Sequence, residues 1–512
     1  MAGPQGQWGR LLDRARPVGG MVLTDMAALR LDAPKRNVAV AGETRPGSVR
    51  NSADIAAADK RRPHRIGLVI DHPLRDLDGM CLLAQLLCGR GHEVVLMPFY
   101  TQHLDLPNLD IDLIVLNYVR PANRALVEAA SARGIALAVL DTEGGLLPET
   151  GPTSAHGIAA YLRESGLDIA LSLYLFWGEA LRDAVVENTD LSLPRAVVTG
   201  SPRFDLAASR YRRADERRDR VLVNTNFPIV NPAQTGRRSI DDKALRSAGF
   251  TDQEIADLAE SVRGVMDRMV ATVGRLADAR PSRSFVIRPH PFERCEPYEA
   301  AFAAHPNIVV EREGSAMNAL LQSDCMLHVN CTTAVEASLC GVPSISLDFI
   351  NDARLQAMAS LPTKVSHNAN DVAHTLALID RSHTLDAASQ AKDISPFFGP
   401  LDARAAERAA DALSSATLID PRLPSAKGLP AKRWLNALAG RTVGSAGIEQ
   451  VRQSLKPSRA IKSFSAADVE PRLDHFASVH GSVAAAIEPV RTALGADTMA
   501  LRLSPVTARP AD

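Results

Sequence analysis

Two separate blocks of this sequence repeat one cadence: a short, wholly apolar run, an amphipathic stretch, then another apolar run. The first block reads "RIGLVID" (65–71), "HEVVLMPF" (92–99), "IDLIVLNY" (111–118), "IALAVLD" (135–141), "DIALSLYLFW" (168–177) and "RAVVTGSPRFD" (195–205), with helical patterns over 77–89, near 121–133 and over 178–187. The second reads "RVLVNTNFPIV" (220–230), "SFVIRPHP" (284–291), "NIVVE" (307–311), "DCMLHVN" (324–330) and "PSISLD" (343–348), with helices expected over 252–279, near 316–322 and from 332. Apolar runs that do not alternate belong to strands covered on both faces, and helices between them make the connections of a parallel sheet. The reading is α/β: two doubly wound, Rossmann-like domains over 63–208 and 209–420. Ligands of such domains bind at the carboxyl ends of the strands, here in a cleft between the two.

What lies outside the blocks reads differently. Residues 1–62 are rich in Ala, Gly, Pro and Arg without periodicity and read as a disordered extension, and "RYRRADERRDR" (210–220) as a solvated helix or linker. After 420 the cadence stops, so 421–512 is expected to be a basic, weakly ordered extension. Residues 422–464 carry nine Lys or Arg against one acid, Glu449, with Trp434 beside Lys432 and Arg433. That segment has two readings, a flexible basic tail or a peripheral contact with an anionic membrane.

Charge and cysteines narrow the class. A formal net charge of -1 over 512 residues argues against nucleic acid as the partner, since phosphate neutralisation needs a basic excess. The six cysteines have no CxxC pairing and sit mostly in apolar segments, as reduced thiols do, which points to the cytoplasm. No apolar run reaches the roughly 20 residues of a membrane span, and no signal-peptide core opens the sequence.

Three motifs follow apolar runs directly, at the strand ends where a doubly wound fold binds ligands. In "AVLDTEGG", Asp141 and Glu143 precede two glycines, and a carboxylate there can act as a general base or merely cap a tight turn. In "RPHP", prolines on both sides of His290 hold its backbone extended, so the imidazole is set off the strand end to donate to a phosphate oxygen. Arg288 can add charge there or point inward to a carboxylate. In "HVNCTTAVEASLCGVP", Asn330 ends a strand and Thr332 and Thr333 stand where a helix begins, to cap it or to offer hydroxyls to a phosphate. Glu336, one turn on, can accept from two ribose hydroxyls. The sequence has no GxxxxGK[ST], no GxGxxG after its first strand, and no HExxH or Cys/His cluster, so P-loop hydrolysis, ordinary dinucleotide binding and a metal cofactor are all disfavoured.

The order of an acidic motif, an HP motif and a paired hydroxyl motif resembles bacterial sialyltransferases and capsule Kdo transferases of the GT-B fold. "WGEALRDAV", "VVTGSPRFDL", "VLVNTNFPIVNP", "RPHP" and "NCTTAVEASLCGVPSISL" resemble the surface carbohydrate biosynthesis proteins over about 65–415. The resemblance implies a cytoplasmic glycosyltransferase with a CMP-linked sugar donor and a glycan or lipid-linked glycan acceptor, without a cofactor. By the same likeness Glu143 is the base, His290, Thr332 and Thr333 hold the donor phosphate, and Glu336 holds the ribose. Adjacent acids in the sialyltransferase pattern are here split as Asp141 and Glu143, which leaves two candidates for the base. The likeness extends to teichoic-acid glycerophosphotransferases and UDP-GlcNAc 2-epimerases, and a non-catalytic polysaccharide-assembly factor is the reading from another class.

Overall fold

A computed structural model describes residues 63–506 apart from 146–153, 212–219, 234–245, 247–250, 330, 353–364, 387–393, 422 and 424–437. The readings made for 1–62, for Asn330, for Trp434 and for most of 210–220 fall outside the described residues.

Strands β1 (Arg65–Ile70), β2 (Glu93–Pro98), β3 (Leu113–Leu116), β4 (Ala136–Leu140), β5 (Leu171–Phe176) and β6 (Ala196–Val198) form one parallel sheet in the order β2-β1-β3-β4-β5-β6. Strands β7 (Arg220–Asn224), β8 (Ser284–Arg288), β9 (Ile308–Val310), β10 (Cys325–His328), β11 (Ser344–Ser346) and β12 (His367–Asn368) form a second, ordered β9-β8-β7-β10-β11-β12 and also parallel throughout. The first order is that of flavodoxin-like sheets and the second that of Rossmann sheets. In each, the chain reverses direction across the sheet at one place, between β1 and β3 and between β7 and β10. Loops diverge there and leave a crevice beyond the strand ends.

Local chemistry explains the elements. Each central strand is buried on both faces because helices cover both, so β3, β4 and β5 are wholly apolar or small. Helix α1 (Pro73–Gly89) starts on a proline, whose missing N–H is no loss at a first helical position. Helix α2 (Asp252–Ala279) opens with a capping box in which Thr251 and Glu254 satisfy each other's backbone N–H groups. Helix α3 (Thr333–Leu339) follows β10, and α4 (Ala405–Ser414) returns the chain to the first domain. There Asp205 accepts the N–H groups of Ala405 and Ala406 at 3.0 and 2.7 Å.

The carboxyl-terminal region departs from expectation. From 438 onward it carries a helical turn, α5 (Ser445–Leu455), a 3-10 segment (Pro457–Lys462), α6 (Ala466–Val479), and a hairpin of β13 (Ala486–Arg491) and β14 (Asp497–Ser504). Strand β14 pairs antiparallel with β2, extending the first sheet to eight strands. The reason it is hard to read is physical. As the outermost strand β13 is mostly exposed and contains Pro489, and α6 contains Pro471, so neither shows an apolar run or an uninterrupted helical pattern. Among the described residues no helix is long and apolar enough to cross a membrane.

Candidate functional site

Both crevices open into one cleft that is continuous with solvent. The first domain reaches it through residues after β1, β4, β5 and β6. Asp71 and His72 follow β1, and the first turn of α1 carries Arg75. Its guanidinium meets Asp71 at 2.8 Å, Asp76 at 2.8 Å and Glu143 at 3.2 Å. Arg120, after β3, meets the other oxygen of Glu143 at 2.8 Å. Burial alone would raise the Glu143 pKa, but Arg120 and Arg75 outweigh it and hold the carboxyl below its ordinary range. Asp141 lies behind, 3 % exposed and outside the cleft lining, accepting the Glu143 N–H at 2.8 Å. Burial pushes its pKa up, with Arg120 opposing.

The two glycines after Glu143 are required by the aromatic side chains packed against the loop. A Cβ on Gly144 would lie 3.2 Å from the Trp177 ring, and one on Gly145 only 2.8 Å from it and 2.9 Å from Phe398. They let the loop lie flat on the aromatic wall beneath the cleft rather than against a ligand.

The second domain contributes from β7, β8 and β10. His290 sits beyond β8, and its Nδ1 accepts the N–H of Phe292 at 3.2 Å. A neutral imidazole that accepts at Nδ1 carries its proton on Nε2, so this ring is a fixed donor. Burial, with Arg312 nearby, lowers its pKa to about 4. The loop is anchored by Glu293, which is fully buried and accepts from Thr225 Oγ1 at 2.8 Å, Phe227 N–H at 2.9 Å, His290 N–H at 3.2 Å and the Tyr298 hydroxyl. Arg288 lines the cleft and donates to the carbonyls of Glu313 and Gly314 at 2.8 and 2.5 Å, so it holds a loop rather than a carboxylate.

Thr332 and Thr333 also line the cleft, but neither caps α3. Thr332 is already helical, with φ -62° and ψ -19°, whereas a capping hydroxyl needs an extended backbone to reach forward. Glu336 lines the cleft as well and bridges the domains, with Arg203 at 3.3 Å. That guanidinium, from the turn after β6, stacks over Trp177 at 5.3 Å and Phe204 at 4.8 Å.

Five residues lining this cleft each carry a buried polar side-chain atom with no hydrogen-bond partner among the described residues: His72 Nε2, Thr142 Oγ1, Trp177 Nε1, Arg203 Nε and Asn224 Oδ1. His72 is 3 % exposed, and burial, reinforced by Arg75 and Lys462, lowers its pKa to about 3 and keeps the ring neutral.

The cleft therefore unites Glu143, Arg288, His290, Thr332, Thr333 and Glu336, and leaves Asp141 behind its wall. His72, Arg75, Arg120 and Arg203 were missed by sequence reasoning. A signal for the first was available: "DHP" after β1 repeats, at a strand end, the His-Pro dipeptide of "RPHP" after β8.

No family model matches the sequence, and no curated protein matches it. Among solved structures the chain is similar to a UDP-GlcNAc 2-epimerase from Methanocaldococcus jannaschii, in complex with UDP-GlcNAc and UDP, at 10% identity and TM-score 0.42 over 68% of this chain and 99% of that one. It is similar to the UDP-GlcNAc 2-epimerase from Neisseria meningitidis bound to UDP-GlcNAc at 12% identity and TM-score 0.41, again over 68% and 99%. It is also similar to the wall teichoic acid polymerase TagF at 8% identity and TM-score 0.44, over 69% of this chain and 88% of that one. The fold stands on the chain's own two sheets: two Rossmann-like domains facing a cleft.

Proposed function

We propose that this chain is a glycosyltransferase that moves a sugar from a nucleotide-activated donor, CMP-linked by the motif resemblance, to a surface glycan or its lipid-linked precursor. The observation that carries the reading is the convergence of Arg75, Glu143 and Arg203 from the first domain and Arg288, His290, Thr332, Thr333 and Glu336 from the second on one cleft at both switch points. In this reading His290 Nε2–H, Thr332 and Thr333 donate to the donor phosphate. Glu336 accepts from the ribose hydroxyls and exchanges its Arg203 partner for them. The acceptor hydroxyl enters from the first domain. Its oxygen bonds to the anomeric carbon of the donor, the bond from that carbon to the phosphate oxygen breaks, and the nucleotide leaves with the electron pair.

The hydroxyl proton passes to Glu143, ionised and lining the cleft. In a second reading His72, neutral and on the same wall of the cleft, takes the proton and Glu143 orients Arg75 and Arg120. No cofactor enters either version. The experiment is release of free nucleotide from a panel of CMP-, CDP- and UDP-sugars. Release that depends on an added acceptor supports transfer, CDP-glycerol turnover supports a glycerophosphotransferase, epimerised sugar without release supports an epimerase, and binding without turnover supports an assembly factor.

A further inference from the structure

Helix α5 is inside out. Its inward positions are polar, Ser445 and Glu449 each being 0 % exposed, while Val451 and Leu455, one turn apart, are 60 % and 81 % exposed. A surface helix of a self-sufficient domain shows the reverse pattern, apolar residues inward and polar residues outward. Leu438 and Val443, just before α5, are also exposed, at 44 % and 58 %. The inward Glu449 is satisfied by a bidentate ion pair with Arg459 at 2.7 and 2.6 Å, so the polar core of the helix is complete and its apolar side faces out.

Exposed beside α5 stand Arg441 and Lys456, which have no ion pair among the described residues, while Arg452 is half-buried on the side of Ser445 and Glu449. Glu449, the one acid between 438 and 462, is already neutralised. Exposed apolar side chains mixed with unneutralised cations complement an anionic lipid surface, where the cations meet headgroups and the apolar groups enter the interface. Four apolar side chains fall well short of the roughly 20–30 residues that each partner of a stable protein dimer contributes.

The face also lies where a lipid-linked acceptor would be wanted. Gly440 packs on the carbonyl of Leu104, in the turn after β2, and Lys462 at the end of the following 3-10 segment pairs with Asp71 after β1. Both anchor points are at the carboxyl ends of first-sheet strands, the end that opens into the cleft. We infer that the exposed face of α5, with Leu438 and Val443, is a docking surface for an anionic lipid bilayer, which places the cleft beside membrane-held acceptors. The link to acceptors rests on the transferase reading, but the docking surface does not.

The test is sedimentation of the full chain with phosphatidylcholine vesicles, with and without phosphatidylglycerol, beside calorimetric titration of CMP and CDP. Point variants are needed, because removing the region would strip β14 from β2. The wild type is expected to pellet only with the anionic vesicles and to be released by salt. Val451→Glu/Leu455→Glu should abolish pelleting. Arg441→Gln/Lys456→Gln should weaken partition by roughly 30-fold, the loss of two surface cations. All of these substitutions are at the surface, so nucleotide titrations serve as the check on folding. Absence of wild-type pelleting, or variants that pellet like the wild type, overturns the inference. So does wild-type self-association that the Val451/Leu455 variant abolishes, since the occupant is then a second copy. Vesicle binding without nucleotide binding would instead count against the transferase reading alone.

Discussion

Lys462 Nζ lies 2.8 Å from Asp71 Oδ1 across 391 residues of sequence, with both side chains buried. The pair ties the carboxyl-terminal region to the loop after β1, and the charges continue from Asp71 through Arg75 to Glu143 and Arg120. Removing one partner of a buried pair leaves the other uncompensated, which costs about 3 kcal/mol or more. Lys462→Met should therefore destabilise the protein by about 2–3 kcal/mol, Arg75 supplying part of the lost compensation. Urea denaturation checks this, and a loss below about 1 kcal/mol would show the pair to be incidental.

Glu143 and His72 compete for the role of base, and their variants separate the readings. If the carboxylate takes the proton, Glu143→Gln should keep nucleotide affinity and transfer about 100- to 10,000-fold more slowly, while His72→Asn changes the rate little. If the imidazole takes it, the ranking inverts. Asp141→Asn is the control behind the cleft wall. Equal rates in all three would remove proton transfer by either residue from the mechanism.

Strand ends were legible in the sequence because parallel sheets make them so: an apolar run that stops abruptly at "RPHP" or "DTEGG" announces both the element and the edge of the cleft. Strand order was not legible, and with it went the arginines. Arg120 and Arg203 matter only because the sheet order sets the end of β3 beside Glu143 and the end of β6 at the cleft, while in the sequence they are unremarkable cations in loops. The hairpin that ends the first sheet escaped for another reason. An edge strand is solvated on its free side, so Ala486–Arg491 shows no apolar signal even though it completes the sheet.

Glu293 acts through His290. Its carboxylate accepts from the Thr225 hydroxyl and from two backbone N–H groups, one of them that of His290. Glu293→Leu removes the acceptor of all four donors, the Tyr298 hydroxyl included, so the loop should shift and Nε2 should lose its aim. Nucleotide affinity should fall by about 1–2 kcal/mol with a fold still cooperative by thermal denaturation. A variant with unchanged calorimetric affinity would confine Glu293 to stability. His290→Ala supplies the benchmark, since it removes the donor outright and should cost about 1–3 kcal/mol.

Acid should weaken the fold through His72. Its unfolded pKa is near 6.5 and its folded pKa about 3, so between those values the unfolded chain binds a proton that the folded chain refuses. Stability from this group is fully present above about 6.5 and is lost as pH falls. From about pH 7 to about pH 5 the loss should be about 2 kcal/mol, at 1.36 kcal/mol per unit. Asp105 and Asp205 act in the opposite direction: burial raises them to about 7 and about 6, so the folded chain holds their protons more tightly and gains stability as pH falls toward their unfolded values. The informative quantity is thus the difference between wild type and His72→Asn. The variant should show the smaller drop in urea midpoint between the two pH values, and parallel behaviour of the two proteins would mean that the ring is protonated in the folded state or open to water.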